Sequence, residues 1–365
     1  QQQQRQQQQQ QQQDGGGYPS TSSSSQQQQQ QQYRRTQQPV VKTWSLSDFR
    51  IVGRIGAGRV SAVYRAQHTS TGMDIALKCY LRNKLDPFTM SQIRREIAIH
   101  SGLSHPSITA FYGSFEDERG NIYLLHEFAR KGDIFNLLSR SGGALSEAKT
   151  CEIIIRPIAT AIAHLHARGI MHRDIKPENL LTGGEADSGC KLTDFGFAVD
   201  HTQHRPITRL GTTDYMAPEI VRCDKERREQ LKAAGKAGYG PEVDNWAIGI
   251  LAYECLIGHA PFEGGSMQEV YGRILRGRVE FPDFLSMEAR DFILGCLDVD
   301  ARSRLTAQEM LSHPWVQMHH RPSKDDMKAA KGSGGDQVDL ISPMMNSTGG
   351  GMGGGGRGGG DVPSG

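Results

Sequence analysis

The stretch Ile170-Met171-His172-Arg173-Asp174-Ile175-Lys176-Pro177-Glu178-Asn179-Leu180-Leu181, followed after a short hairpin-like segment by Asp194-Phe195-Gly196, constrains this chain more than any other. It places a carboxylate, a lysine and two further hard oxygen ligands on adjacent loops. Phosphoryl transfer asks for such a set, because the site must hold a hydroxyl in line and neutralise phosphate charge while doing little covalent chemistry itself. Asp174 is the candidate for the group beside the hydroxyl, and Lys176 reaches the transferring phosphate. Asn179 and Asp194 supply oxygens that suit Mg²⁺ better than thiolate or imidazole would. Alone, His172-Arg173-Asp174 reads as a solvated polar turn; its order with the other motifs argues against that reading.

Composition sets the limits of the folded part. Residues Gln1 to Gln32 are dominated by glutamine, and the end from about Lys331 is rich in glycine, serine and methionine. Neither end can bury enough apolar surface to offset its ordering entropy, so 1–43 and 321–365 are expected to be disordered and 44–320 to form the folded domain. The net charge of +2, from 42 basic and 40 acidic residues, gives no reason to expect a DNA or membrane surface. The lone Arg357 among the glycines of the tail is too little for an RNA-binding segment. There is neither a long apolar run nor a signal-peptide pattern, so no membrane partner is expected. Six scattered cysteines without a C-x-x-C pair fit reduced thiols in cytosol or nucleus.

Further motifs lie upstream in an informative order. Asp48 to Val52 alternates like a strand and leads into Ile55-Gly56-Ala57-Gly58-Arg59-Val60-Ser61-Ala62-Val63. Gly56 and Gly58 let a backbone approach phosphates closely, and Val63 is placed to cover an adenine ring. Ile75-Ala76-Leu77-Lys78 reads as a buried strand ending in a lysine that needs a partner. Glu96, on a helix whose apolar side carries Ile93, Ile97 and Leu103, would provide it. Asn121 to Ala129 reads as another buried strand. Ile154, Ile158, Ile162 and Leu165 recur at helical spacing, with Pro157 inside the run, where it kinks the helix unless it lies in the first turn.

These motifs, in this order over Trp44 to Val316, resemble the eukaryotic protein kinase family. Lys176 and Gly211-Thr212 resemble its serine/threonine type, in which Thr212 bonds Asp174 and Lys176. The lead-in Trp44 to Phe49, the helix Gln92 to Ile97 and the ending Val279-Glu280-Phe281-Pro282 are most similar to the Aurora branch. The resemblance implies an α+β, bilobal fold: a small β-rich lobe over about 44–128 and a larger helical lobe over about 129–320. It implies ATP and Mg²⁺ as cofactors, with Asp174, Lys176, Lys78 and Glu96 catalytic. Nucleotide would be held by Ile55, Gly56, Gly58, Val63, Ala76, Lys78, Glu127, Ala129, Glu178, Asn179 and Asp194, the last two also holding metal.

It also implies a regulatory phosphosite at Thr208, with Thr202 weaker, whose phosphate would pair with Arg173. Asp133, Glu178, Thr212 and Glu254 fall at substrate-binding positions, the three acids favouring arginine before the acceptor Ser/Thr. Glu219 would pair with Arg304. Expected partners are protein substrates and an activating peptide on the small lobe of a monomer. Expected localisation is cytoplasm or nucleus, with spindle, centrosome or basal-body association. Ser61 replaces a third glycine, and His126 falls at the gatekeeper position, where a satisfied, half-buried histidine is expected. These two departures keep a pseudokinase scaffold as the alternative. An insertion over Cys223 to Gly238 reads as a short solvated helix ended by Gly235 or Gly238.

Overall fold

Alternating patterns in the first third of the chain become a single antiparallel sheet. The computed structural model describes residues 44–183, 189–202, 206, 211–234 and 238–320, all but the last within the unit ending at His319. Both expected tails and Thr208 lie outside the described residues. Strands β1 (Phe49–Ala57), β2 (Ser61–His68), β3 (Asp74–Tyr80), β4 (Phe111–Glu116) and β5 (Ile122–Glu127) pair in the order β1-β2-β3-β5-β4. Alternation gives the sheet two apolar faces. Leu77, Tyr123 and Leu125 pack on one, while Tyr80, Ile122 and Leu124 on the other meet Ile93 of helix α1 (Pro87–Ser101). Asp86 caps α1 through a 2.7 Å bond from the Thr89 N–H, with Pro87 in the first turn. Its buried stripe carries Thr89, Ile93, Glu96 and His100, so three polar side chains are carried inside.

The rest is mainly helical and holds the largest core. After β6 (Gly132–Asp133) come α2 (Ile134–Arg140) and α3 (Arg156–His166), then the short strands β7 (Ile170–Met171), β8 (Leu180–Thr182), β9 (Lys191–Leu192) and β10 (Val199–Asp200). Helix α4 (Lys225–Ala233) precedes the buried α5 (Glu242–Ile257), followed by α6 (Met267–Arg276), α7 (Met287–Cys296) and α8 (Ala307–Ser312).

Pro157 sits in the first turn of α3, directly after a π-helical stretch over Thr150–Ile155. Proline has no N–H for the carbonyl four residues back. That carbonyl, Ile153 O, instead accepts the Cys190 N–H at 2.8 Å. The lost helical bond therefore docks the approach to β9. Gly189 is required there: its φ is +96°, and a Cβ would lie 2.6 Å from Pro157 Cγ.

The insertion departs from expectation in one respect. Its helix exists as α4, but Cys223 and Leu231 are buried in the main core, so one side is anchored rather than solvated. Gly235 lies outside the described residues, and Gly238 lies beyond the helix end. Among the described residues no helix is long and apolar enough to cross a membrane.

Candidate active site

The loop between β7 and β8 is held from below by one carboxylate. Asp244, buried in the first turn of α5, accepts the backbone N–H groups of His172 and Arg173, each at 2.8 Å. Arg173 adopts φ +69°, a left-handed conformation this pair of bonds sustains. Burial would raise the Asp244 carboxyl, but bonds from His166 and the loop hold it below its usual range. The Arg173 guanidinium donates to Phe197 O at 2.7 Å and to the Tyr239 hydroxyl at 3.1 Å, tying the loop to the residues after Asp194.

Asp174, Lys176, Asn179 and Thr212 form one cluster. Lys176 Nζ lies 3.0 Å from Asp174 Oδ2 and donates to Thr212 Oγ1 at 3.1 Å. Thr212 Oγ1 is 3.4 Å from Asp174 Oδ1. The Asn179 amide donates to Asp174 O at 2.7 Å and to Asp174 Oδ2 at 2.8 Å. The amide oxygen therefore points away from Asp174.

A second cluster faces it from the sheet. Lys78 Nζ bonds Glu96 Oε1 at 2.9 Å and Asp194 Oδ1 at 3.0 Å, joining β3, α1 and the segment after β9. Burial works to strip the Lys78 proton, but Asp194 and Glu96 together hold its pKa well above the ordinary lysine value. The Lys78 charge in turn keeps the Asp194 carboxyl far below the usual carboxylate range. The Tyr80 hydroxyl donates to the other oxygen of Glu96 at 2.8 Å. Asp194 has φ +61° and accepts the Gly196 N–H at 3.2 Å.

Above this cluster β1 and β2 turn over at Gly58. Gly56 pairs with Val63, and Ala76 lies on β3 opposite Arg65. Gly58 N–H bonds Ser61 O at 2.9 Å, and a Cβ at position 58 would lie 2.9 Å from Ser61 Oγ. A side chain at 58 would therefore displace the Ser61 hydroxyl, and Ser61 occupies the place of a third glycine. Ile55 is exposed on β1; Glu127 ends β5, with Ala129 two residues beyond.

The family described as Protein kinase domain matches residues 49–316. An Aurora kinase of Encephalitozoon cuniculi is 38% identical over 289 residues, 78% of this chain and 100% of that protein. An Aurora kinase of Saccharomyces cerevisiae is 36% identical over 280 residues, 76% of this chain and 71% of that protein. Aurora kinase A-A of Xenopus laevis is 34% identical over 286 residues, 78% and 66% respectively.

The chain belongs to the Aurora kinase family. It is a serine/threonine protein kinase, a family that uses ATP with Mg²⁺. The kinase has donors of the right kind for the cation. The Asp194 carboxylate is charged, its Oδ2 has no hydrogen bond among the described residues, and the Asn179 amide oxygen is likewise unengaged. One carboxylate and one amide suit Mg²⁺, which keeps several waters and phosphate oxygens among its ligands. Among the described residues no group of three His, Cys, Asp or Glu could form an all-protein metal site.

The acids at substrate-binding positions are placed unequally. Glu178 is exposed, and Glu254 accepts a hydrogen bond from the Tyr215 hydroxyl. Burial raises the Glu254 carboxyl against that bond, with Glu178, Asp214 and Glu263 adding negative charge nearby. Asp133 instead caps α2, accepting the Asn136 N–H at 2.7 Å. Sequence reasoning missed Tyr80, Tyr215 and Asp214; a tyrosine two residues after the strand lysine was the only signal for the first.

His126 corrects an expectation. It is buried rather than half-buried, and neither ring nitrogen has a hydrogen-bond partner. It lies on the face of β5 toward α1, where its neighbours are rings: His100 at 5.1 Å and Phe111 at 5.4 Å. A continuous aromatic ladder runs from Phe111 through His100 and Phe195 to His172, with centroid separations of 5.3, 4.4 and 5.0 Å.

Burial pushes His100 down to about 4, against the bond from its Nε2 to Thr109 O. Unfolded chain takes up that proton near the ordinary histidine value, so this residue's effect is absent above about pH 6.5 and destabilises as pH falls toward 4. Unfolding free energy is expected to drop by about 2 kcal/mol more in the unsubstituted chain than in His100→Leu between pH 7.5 and 5. Denaturant titrations at the two pH values read this directly; equal drops would refute it.

Proposed function

We propose that this kinase is catalytically competent and phosphorylates Ser/Thr hydroxyls preceded by arginine, in cell-cycle, spindle or flagellar control. The observation that carries competence is the joined charge network: Lys78 bridges Glu96 and Asp194, while Lys176 bridges Asp174 and Thr212. In this reading Asp174 orients the acceptor hydroxyl and receives its proton, and Lys176 meets the transferring phosphate. Lys78 holds the α- and β-phosphates under the Gly56–Gly58 turn. Ile55, Val63 and Ala76 enclose the adenine, and the Glu127 and Ala129 backbones hydrogen-bond it. Asp194 and Asn179 would hold Mg²⁺, whose charge offsets that developing on the phosphoryl group.

Arginine preference is supported by the negative charge that Glu178 and Asp214 add around Glu254, which accepts the Tyr215 hydroxyl. A phosphate on Thr208 would order the activation segment through Arg173, and an activating peptide on the small lobe would assist. Spindle, centrosome or basal-body association is part of the same reading, from the family alone.

The test is Mg²⁺-dependent transfer from labelled ATP to an arginine-rich serine peptide, by the chain beside its Asp194→Asn form. Transfer lost in the variant supports competence. No transfer by either form, with Thr208 phosphorylated, would favour the scaffold alternative that Ser61 and His126 raise. Reversing Glu178 and Glu254 to arginine should lower kcat/KM for a peptide with arginine two residues before the serine by roughly tenfold or more. The loss should be far smaller for the alanine peptide, and parallel losses would remove the specificity assignment.

A further inference from the structure

Strand β9 is only two residues long, yet each residue from Cys190 to Asp194 is tied to a different part of the molecule. Cys190 N–H bonds Ile153 O at 2.8 Å. Leu192 N–H bonds Ser107 O at 2.9 Å, and its carbonyl accepts Thr109 N–H at 3.0 Å. Thr193 N–H bonds Asn179 O at 3.0 Å, and Asp194 meets Lys78. Lys191 alone reaches the hinge. Its ammonium donates to both carboxylate oxygens of Glu127 at 2.7 Å, and Glu127 Oε2 also accepts the Ala110 N–H at 3.1 Å. Both residues of the pair are buried.

Stability is a poor reason for such a pair. Two buried charges lose hydration that their attraction repays only with good geometry, and apolar residues of similar size are often as stable or more so. What a doubly bonded ammonium supplies is a set distance. Here it lies between the strand end proposed to carry adenine and a strap that ends, three residues on, at the carboxylate proposed to hold Mg²⁺.

We propose that Lys191 is a positioning residue for nucleotide binding, holding the Glu127 hinge and Asp194 at the spacing that one bound ATP must span. This rests on the reading of the hinge and of Asp194 given above. It makes a distinct claim about ligands. Adenosine touches only the hinge end and needs no set spacing. ATP with Mg²⁺ touches both ends and does.

The decisive form is the double substitution Glu127→Gln with Lys191→Met in the full chain, which removes the pair without stranding a charge; Lys191→Met alone is its companion. In a double variant that melts cooperatively, the KM for ATP at saturating Mg²⁺ should rise about tenfold, by a larger factor than kcat falls. Adenosine affinity should stay within about threefold. A KM for ATP that moves by less than about threefold overturns the proposal. So does adenosine weakening in the same proportion as ATP, which assigns the pair to the shape of the hinge. A double variant that does not fold assigns it to stability and overturns it equally. Failure of the underlying reading shows separately: if Asp194→Asn leaves ATP binding as Mg²⁺-dependent as before, Asp194 is not the metal end, whatever Lys191 does.

Discussion

Replacing Asp174 by asparagine is expected to lower kcat by a factor of roughly 10² to 10⁴. The geometry says why the effect should fall on turnover. Asparagine keeps the shape of the side chain and so keeps the contacts with Lys176 and Thr212, which can be satisfied by an amide oxygen. It loses the charge proposed to receive a proton from the acceptor hydroxyl. The proposed ATP contacts lie elsewhere, on Lys78, the glycine turn and the hinge, so the KM for ATP should stay within about threefold. Steady-state kinetics on a serine peptide separates the two numbers. A variant with unchanged kcat would remove Asp174 from the chemistry, and one with only a raised KM would recast it as a binding residue.

Arg304→Met should cost about 3–5 kcal/mol of unfolding free energy, a large share of what a domain possesses. The side chain is fully buried and bonds Glu219 at 2.9 and 3.2 Å. It also donates to the carbonyls of Glu242 at 2.6 Å and Asp298 at 3.1 Å, and its guanidinium lies 5.2 Å from the Trp246 ring centre. Methionine can replace the packing but none of the donors. One carboxylate and two carbonyls would be left short of partners in a water-poor place. Chemical denaturation reads the loss. A loss below about 1 kcal/mol would mean that the carboxylate rehydrates freely, which only its partial exposure allows.

The two lobes were expected from the family resemblance, whereas the charge network was legible because it rests on local pattern. A lysine ending an apolar strand, a glutamate on the buried stripe of a helix, and an aspartate two residues before a lysine all announce unmet electrostatic need within a few residues. Lys191 gave no such announcement. Its partner is 64 residues away and the strand between Cys190 and Leu192 looks like any short apolar segment. His126 was read from its own polarity, which favours a satisfied imidazole, whereas its surroundings are set by His100 and Phe111 from two other elements. Pro157 was read as kinking its helix unless it lay in the first turn, which is where it lies; the sequence could not show the Cys190 N–H that takes up the freed carbonyl. Thr208 and both tails fall outside the described residues.

The ring ladder from Phe111 to His172 bears on which small molecules this kinase will tolerate. Compounds that occupy the cleft by expelling Phe195 must part it from His100 on one side and His172 on the other. Such ring contacts contribute about 0.5–1.5 kcal/mol each beyond the area they bury, and the vacated slot would keep two imidazoles at its sides within an otherwise apolar core. Inhibitor chemistry aimed at this protein therefore starts from scaffolds that leave Phe195 seated and address His126 with a polar group.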